Sequence, residues 1–246
     1  MLNYKEKPLF KAHEILYFGD NLSGKDFVVG DIHGQFHKLD ALLYETGFNQ
    51  NKDRLFSAGD LVDRGKYSTD CVEWLEKDWF FPVMGNHDEF VLWSYYNLPG
   101  FDNNRWASEM NGGSWWFSLS KKQQDSIASC LRHLPHAIEI QKERKIGIVH
   151  ADVPDNADSD WEVFKDHIFN RDSKTMHDCK VNRVKARYEE NPIVKNVDDV
   201  YFGHCAFPDV VHKGNCHFID TGASYEGYPI QSDYYRKWGH LTLVSI

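Results

Sequence analysis

Short apolar runs alternate with polar, glycine-bracketed loops in the first half of the chain. Residues 27–29, 54–58 and 80–84 predict three strands. Each is followed by a polar loop and then by a helix, the clearest over residues 37–46. This alternation predicts parallel strands with crossover helices, whose ligands bind beyond the carboxyl ends of the strands. We expect Ser68 to cap the second helix, and the third helix to begin at Glu89.

The second half of the chain reads mainly as β structure. Residues 137–141 and 146–149 flank a charged turn and predict an antiparallel hairpin, and residues 200–202 predict a further strand. Three short antiparallel strands are expected at 210–212, 216–219 and 241–246. Irregular segments, near a site or on the surface, are expected at 98–116, 152–166 and 173–190. We therefore predict an α+β fold, an α/β/β/α sandwich of two stacked mixed β-sheets flanked by helices, with residues 1–246 as one domain.

Composition narrows the class of protein. The 246 residues are 41% hydrophobic and 26% charged, as in ordinary globular proteins. A net charge of −9 argues against binding to nucleic acid through a basic surface. No apolar run approaches the roughly 18 residues of a membrane span, and the first ten residues are too polar for a signal peptide, so we expect a cytoplasmic protein without membrane contact. The five cysteines are scattered without a C-x-x-C pair, which favours reduced thiols.

Metal-ligand residue types follow five of the predicted strands. They are Asp31 and His33, Asp60, Asn86 and His87, His150, and His204. Each one alone is more typical of a polar turn or a structural histidine, but five such loops at strand ends indicate one site. Oxygen and nitrogen donors without thiolates suit divalent manganese, iron or zinc. Two ions sharing a carboxylate could activate a water and hold a phosphoryl group.

Three motifs carry a family resemblance. They are Gly30-Asp31-Ile32-His33-Gly34, Gly59-Asp60-Leu61-Val62-Asp63-Arg64-Gly65 and Gly85-Asn86-His87-Asp88. Together they resemble the signature of the calcineurin-like metallophosphoesterases. The complete Asp-x-x-Asp-Arg-Gly form is similar to the serine/threonine phosphoprotein phosphatases, in particular the lambda phage type and its bacterial relatives. Weaker matches follow in order, at residues 111–116, 134–135, 149–152, 170–171, 203–204 and 219–222.

The resemblance implies a dinuclear metal centre. Asp31 and His33 would bind the first ion and Asp60 would bridge both. Asn86, His150 and His204 would complete the coordination of the second ion. Two divalent ions are expected, with Mn²⁺ as the predicted metal and Zn²⁺ or Fe as alternatives. A hydroxide bridging them would attack phosphorus directly.

The resemblance also implies roles for the groups around the phosphate. His87 would be the general acid, oriented by Asp63. Arg64 and Arg171 would bind the phosphoryl oxygens, with Asn86 and His87 beside them. The expected substrate is a phosphorylated protein or peptide carrying phosphoserine or phosphothreonine, with phosphotyrosine or phosphohistidine as further substrates. No nucleic acid, membrane or obligate regulatory subunit is expected as a partner.

Three other functions stay open at this point. A symmetrical dinucleoside tetraphosphate hydrolase would share the fold and metals, although Asp63 is not typical of that group. A non-catalytic interaction domain would lack some of these residues, and a metal-dependent nuclease often ends in Gly-His-x-His, where this chain has Cys205 and Ala206 after His204.

Two positions depart from the pattern of the phosphatases that the chain resembles. Asp88 stands where the related phosphatases commonly have Glu, and Cys205 where they commonly have Thr.

Overall fold

The computed structural model describes residues 14–225 and 239–246. The strands are β1 (Ile15–Gly19), β2 (Asp26–Val29), β3 (Arg54–Ser57), β4 (Phe80–Pro82), β5 (Ala137–Gln141), β6 (Lys145–Val149), β7 (Asp199–Phe202), β8 (Val211–Lys213), β9 (Cys216–Phe218) and β10 (Leu243–Ser245). The α-helices are α1 (Phe36–Glu45), α2 (Cys71–Glu76), α3 (Asn86–Tyr95), α4 (Asn103–Ala107), α5 (Lys121–Leu131), α6 (Trp161–Phe169), α7 (Ser173–Val181) and α8 (Val184–Arg187). Short 3₁₀ helices cover Ser68–Asp70, Gly113–Ser118, Asp155–Ala157 and Ala223–Tyr225.

Two mixed sheets form the centre of the fold, as the sequence predicts. One has the order β10-β2-β3-β4, in which β2, β3 and β4 are parallel and β10 is antiparallel to β2. The other has the order β1-β5-β6-β7-β9-β8. Its strands β6, β7 and β9 are parallel, so their carboxyl ends lie at one edge.

The side chains of the strands alternate between two apolar layers. Val28, Phe56, Ile146 and Ile148 belong to a layer lined by both sheets. Phe27 and Val29 face the opposite way, toward α1, α2 and α5. A third cluster packs Trp161 and Phe164 of α6 against the outer face of the six-stranded sheet. Strands buried on both faces are the reason these runs are almost wholly apolar.

Several local predictions are corrected by the structure. A strand that the sequence pattern does not predict, β1, precedes the first predicted strand and pairs in parallel with β5. The strand β9 pairs in parallel with β7, although it was expected to be antiparallel; only its other neighbour, β8, is antiparallel to it. The three segments expected to be irregular contain α4, α6, α7 and α8.

Two helix starts also differ from the prediction. Asp70, not Ser68, is the residue before α2, and the Ser68 hydroxyl instead accepts a bond from the Asp63 amide at 3.0 Å. The helix α3 begins at Asn86 rather than Glu89, because the Asp88 carboxylate accepts the amide of Gly85 at 2.9 Å and closes the first turn. In the described residues no helix combines the length and apolarity needed to cross a membrane.

Candidate active site

The carboxyl ends of β2, β3, β4, β6 and β7 bring the predicted metal ligands together around one carboxylate, that of Asp60. His33 Nε2 lies 3.6 Å and His150 Nε2 lies 3.5 Å from Asp60 Oδ2. Asp60 belongs to two groups of donor atoms that lie within 4.8 Å of one another, one with His33 and His87 and one with His150 and His204. A carboxylate shared by two such groups is the arrangement expected for a bridging ligand.

Asp31 and Asn86 complete the cluster. Asp31 Oδ2 lies 3.9 Å from His33 Nε2, and its two oxygens accept the His204 amide at 3.0 Å. Asn86 Oδ1 lies 3.1 Å from His150 Nε2. All six predicted metal ligands are therefore close together.

Close backbone approach makes this convergence possible. A Cβ on Gly203 would lie 2.0 Å from Asp31 Oδ1, and one on Gly85 would lie 2.1 Å from Asp60 Oδ1. Only glycine leaves these oxygens room.

The loops hold several site residues in a conformation with positive φ. The angles are 45° at His33, 49° at Asp60, 73° at Asp63, 63° at Arg64 and 64° at His204. Each such residue costs about 1–3 kcal/mol unless the surroundings impose it. Loop-to-loop bonds impose it here, since the His33 amide donates to the Asp60 carbonyl at 2.8 Å and the Gly203 amide donates to the His150 carbonyl at 2.8 Å.

Backbone carbonyls fix which histidine nitrogen faces Asp60. His33 Nδ1 lies 2.9 Å from the Val62 carbonyl and His150 Nδ1 lies 2.7 Å from that of Ala58, so each Nε2 is left with its lone pair. In His204 the two nitrogens exchange roles: Nε2 lies 3.2 Å from the Val181 carbonyl, and Nδ1 keeps its lone pair. Metal-binding histidines are oriented in this manner.

Electrostatics at the cluster also fit divalent cations. Burial, followed by the Asp220 and Asp60 charges, raises the pKa of Asp31. Burial favours the neutral form of Asp60, but the surrounding histidines, led by His150, more than offset this when they are protonated and lower its pKa. Burial lowers the pKa values of His33, His150 and His204, which keeps these rings in the neutral form that binds metals. Neutral imidazoles around closely spaced carboxylates are a donor set that a cation stabilises.

A second group of side chains lies beside this cluster. His87 Nδ1 is 2.8 Å from Asp63 Oδ2, and Asp63 is fully buried. Arg64 Nη2 lies 3.1 Å from His87 Nε2, and Arg64 Nη1 lies 2.7 Å from His33 Nε2. The guanidinium therefore faces both the donor cluster and the Asp63–His87 pair.

Arg171 is the one predicted site residue that the structure does not bring to this group. Its side chain is 74% exposed and bonds Glu14 Oε1 at 2.8 Å. The segment before Arg183 does reach the cluster, because the Val181 carbonyl lies 3.2 Å from His204 Nε2, and the charge of Arg183 adds to burial and His150 in lowering the pKa of His204. The dipeptide Asn-Arg occurs three times, at 104–105, 170–171 and 182–183, and the sequence-based prediction rests on the occurrence at 170–171.

Three further residues make contacts at the site that the sequence did not predict. The Asp88 carboxylate accepts the amides of Leu61 and Gly85, both at 2.9 Å, and so joins the second motif to the third. Trp106 and Trp115 donate their indole N–H groups to Asp63. Both tryptophans lie in the 98–116 segment, and the unusual tryptophan content of that segment was the only sequence signal of their role. Cys205 is buried, which raises the pKa of its thiol and makes it unreactive.

Comparison with known proteins gives a consistent assignment. The family model described as calcineurin-like phosphoesterase matches residues 27–234. Serine/threonine-protein phosphatase 2 of Escherichia coli (strain K12) is 34% identical over 207 residues, 82% of this chain and 88% of that protein. Serine/threonine-protein phosphatase 1 of Salmonella typhimurium is 30% identical over 205 residues, with the same coverage.

Two more distant similarities were found. A symmetrical bis(5'-nucleosyl)-tetraphosphatase of Erwinia tasmaniensis is 30% identical over 129 residues, 52% of this chain and 44% of that protein. The solved structure of a protein serine/threonine phosphatase from Saccharomyces cerevisiae has a TM-score of 0.56 at 16% identity and covers 97% of this chain and 85% of that one, which supports the same fold. With the motifs, the fold and the matched length in agreement, the chain belongs to the calcineurin-like phosphoesterase family.

Proposed function

We propose that the protein is a metal-dependent phosphoprotein phosphatase that hydrolyses phosphoserine and phosphothreonine monoesters. The observation that carries this proposal is the Asp63–His87 pair, joined at 2.8 Å, beside the donor cluster of Asp60. A monoester with an alkoxide leaving group needs a proton donor, and this pair supplies one. The two related bacterial serine/threonine phosphatases support the choice of substrate class.

The family fold implies divalent metal ions, and the donor set fits them. Asp31, His33 and Asp60 are proposed to hold one ion, and Asp60, Asn86, His150 and His204 the other. When bound, the ions supply positive charge that activates water and offsets the charge of the phosphoryl oxygens. We propose Mn²⁺ as the metal, with Zn²⁺ and Fe as the alternatives.

Side chains beside the proposed metal ligands donate the proton and bind the phosphoryl oxygens. Asp63 accepts the Nδ1 proton of His87, which fixes the tautomer and leaves Nε2 to carry the proton for the leaving oxygen. The fork of Arg64, now shared between His33 and His87, is placed to bind phosphoryl oxygens. Asn86 and His87 lie beside it. For the second phosphate-binding arginine we propose Arg183 in place of Arg171, because the carbonyl of Val181, two residues before Arg183, lies 3.2 Å from His204 Nε2, whereas Arg171 pairs with Glu14.

Hydrolysis of symmetrical dinucleoside tetraphosphates is the second candidate. The similarity to the Erwinia enzyme favours it, although that similarity covers 52% of this chain. The presence of Asp63 behind His87 favours the monoesterase.

The other expectations from the sequence stay predictions. They are a single domain over residues 1–246, a cytoplasmic location, activity on phosphotyrosine or phosphohistidine, and the absence of nucleic-acid, membrane and regulatory-subunit partners.

The experiment that tests the proposal is hydrolysis by chelator-stripped protein with and without added Mn²⁺. A phosphoserine peptide and diadenosine tetraphosphate are compared as substrates. Phosphate release from the peptide that returns with Mn²⁺ is the expected result. Restored cleavage of the dinucleotide alone would move the assignment to the second candidate, and no reaction with either substrate despite bound metal would contradict both.

A further inference from the structure

The Asp63 carboxylate accepts three hydrogen bonds, and only one of them comes from His87. Trp115 Nε1 donates to Oδ1 at 2.7 Å, and Trp106 Nε1 donates to Oδ2 at 2.6 Å. His87 Nδ1 shares Oδ2 at 2.8 Å. Both oxygens of a fully buried carboxylate thus accept hydrogen bonds from aromatic rings.

The two indoles come from outside the three motifs. Trp106 lies on α4 and is 2% exposed, and Trp115 lies in the Gly113–Ser118 3₁₀ helix and is partly buried. The segment that carries them is docked on the second motif through the backbone, since the Arg64 amide donates to the Gly112 carbonyl at 3.3 Å. The placement of the indoles is therefore coupled to the placement of the Asp63-Arg64 turn.

We propose that Trp106 and Trp115 are positioning residues for the general acid. Their N–H groups hold the plane of the Asp63 carboxylate, and the carboxylate in turn holds the His87 ring toward the leaving group. This inference rests on the proposed function, because it needs His87 to protonate an alkoxide. No tryptophan touches the substrate in this scheme.

Indole suits this task for a physical reason. It is a donor without a charge, so it stabilises the ionised carboxylate without repelling an imidazolium. An arginine or lysine in the same place would compete with His87 for the carboxylate, and its positive charge would oppose the protonation of His87. Two donors on different oxygens also prevent rotation of the carboxylate about its Cβ–Cγ bond, which one histidine bond would allow.

The test is the Trp115→Phe variant of the metal-loaded enzyme, because Trp115 is less buried than Trp106. We expect kcat on a phosphoserine peptide to fall about 10- to 100-fold while KM stays within about 2-fold, since general acid catalysis contributes about 10²–10⁴-fold and part of it is lost. With p-nitrophenyl phosphate, whose leaving group needs no proton, kcat should fall less than about 3-fold. A purely structural role for Trp115 would lower both rates equally.

Trp116→Phe is the matched control. Trp116 is the next residue of the same 3₁₀ helix, its ring lies 5.8 Å from that of Trp115, and none of the bonds described for Asp63 involves it. We expect this variant to keep the wild-type ratio of peptide to aryl ester rates. If Trp116→Phe changes the ratio as much as Trp115→Phe does, the indole bond is not the cause and the proposal is wrong.

A second measurement covers the case in which Trp115→Phe does not fold. Incorporation of 3-benzothienylalanine at position 115 keeps the bicyclic shape and removes only the N–H, and the same selective loss of the peptide rate is expected. In ¹H–¹⁵N spectra, the indole protons of Trp106 and Trp115 should lie downfield of the other tryptophans and exchange slowly. In Asp63→Asn both resonances should move upfield.

The outcomes separate this proposal from the proposed function. Wild-type protein that hydrolyses neither ester would contradict the function itself. Wild-type activity on both esters, together with an unchanged rate ratio in the benzothienyl variant or unshifted indole protons, would leave the function intact and overturn the role of the tryptophans.

Discussion

The edges of the two sheets supply the two halves of the site, and they hold their side chains in different ways. On the four-stranded sheet, Asp31, His33, Asp60, Asp63 and Arg64 lie in two loops that are bonded to each other through the backbone. On the six-stranded sheet, His150 and His204 each follow a strand singly, and a bond from the Gly203 amide to the His150 carbonyl joins their loops. The first half contains the proposed general acid and Arg64 together with four of the six proposed metal ligands, whereas the second half supplies the other two ligands, His150 and His204.

The proposed proton donor thus lies in one half of the site, whereas the proposed metal ligands lie in both. Asp60 belongs to both donor groups, so it joins the halves. His87 belongs to one group only, and its other nitrogen is held by Asp63. Substitutions should therefore fall into classes according to the half they affect.

The largest effect is expected where the halves join. Asp60→Asn removes the shared negative charge, so both ions should bind weakly and activity should fall at least about 10³-fold, because metal charge contributes several kcal/mol to the transition state. Metal content and phosphate release, measured on the same sample, check this. Asp125→Asn on the exposed face of α5 is the control and should change neither. Normal metal content in Asp60→Asn would mean that the two groups do not share this ligand.

The next effect concerns the four-stranded half alone. His87→Asn should lower kcat for a phosphoserine peptide about 10²- to 10⁴-fold, the usual contribution of a general acid, while metal content stays normal. The loss should be smaller for p-nitrophenyl phosphate. His150→Asn, which alters the other half, should lose metal instead. Equal losses for alkyl and aryl phosphates in His87→Asn would show that His87 is not the proton donor.

The same division decides what the sequence could predict. The loops of the first half are contiguous motifs that follow apolar strands, so Asp31, Asp60 and His87 were predicted correctly as neighbours from local pattern alone. The two-sheet architecture followed from the same pattern. What failed were contacts made across the chain. The indole bonds to Asp63 depend on how the 98–116 segment docks on the second motif, and no periodicity encodes that docking.

Local signals were also misread in the second half. The helices α7 and α8 carry the polar sequence around residues 173–187, whose few apolar positions are needed only on one side, so the stretch looked irregular. The Asn-Arg dipeptide occurs at 170–171 and again at 182–183 in this half, and only packing distinguishes the two arginines. In the first half of the chain, the early start of α3 also went unpredicted, although Asp88, three residues after Gly85, signals it as in a capping box.

A moderate effect should decide between these two arginines. If Arg183 binds a phosphoryl oxygen, Arg183→Ala should lower kcat/KM about 10- to 100-fold, as expected for the loss of one charged hydrogen bond worth about 1.5–3 kcal/mol. Arg171→Ala, which removes an exposed pair with Glu14, should change it less than about 2-fold. The measurement is kcat/KM on the peptide for both variants. The opposite order would restore Arg171 as the phosphate ligand.

The smallest effect on activity is expected at the far end of the sheets. Asp26 begins β2, so it lies at the end of the strand opposite Asp31. Its carboxylate accepts Arg54 Nε at 2.7 Å and Nη2 at 2.8 Å, and Lys142 Nζ of the other sheet's hairpin lies 2.8 Å away. The bonds and charges of Arg54 and Lys142 outweigh burial and lower the pKa of Asp26.

Asp26→Asn should therefore cost stability and leave kcat unchanged. Breaking a buried ion pair costs about 3–5 kcal/mol, and the amide of Asn retains part of the bonding, so we expect a loss of about 3 kcal/mol in the free energy of unfolding at pH 7. Because the carboxyl pKa is lower in the folded than in the unfolded protein, the advantage of the wild type should be complete above about pH 5 and should shrink as the pH falls through the unfolded value of about 3.9 and then the folded one. Urea unfolding at pH 7, 5 and 3 measures this, with Asp209→Asn at an exposed position as the control. A fall in kcat along with stability would show that the remote end of the sheets positions the site, and that its two halves are less independent than their contacts indicate.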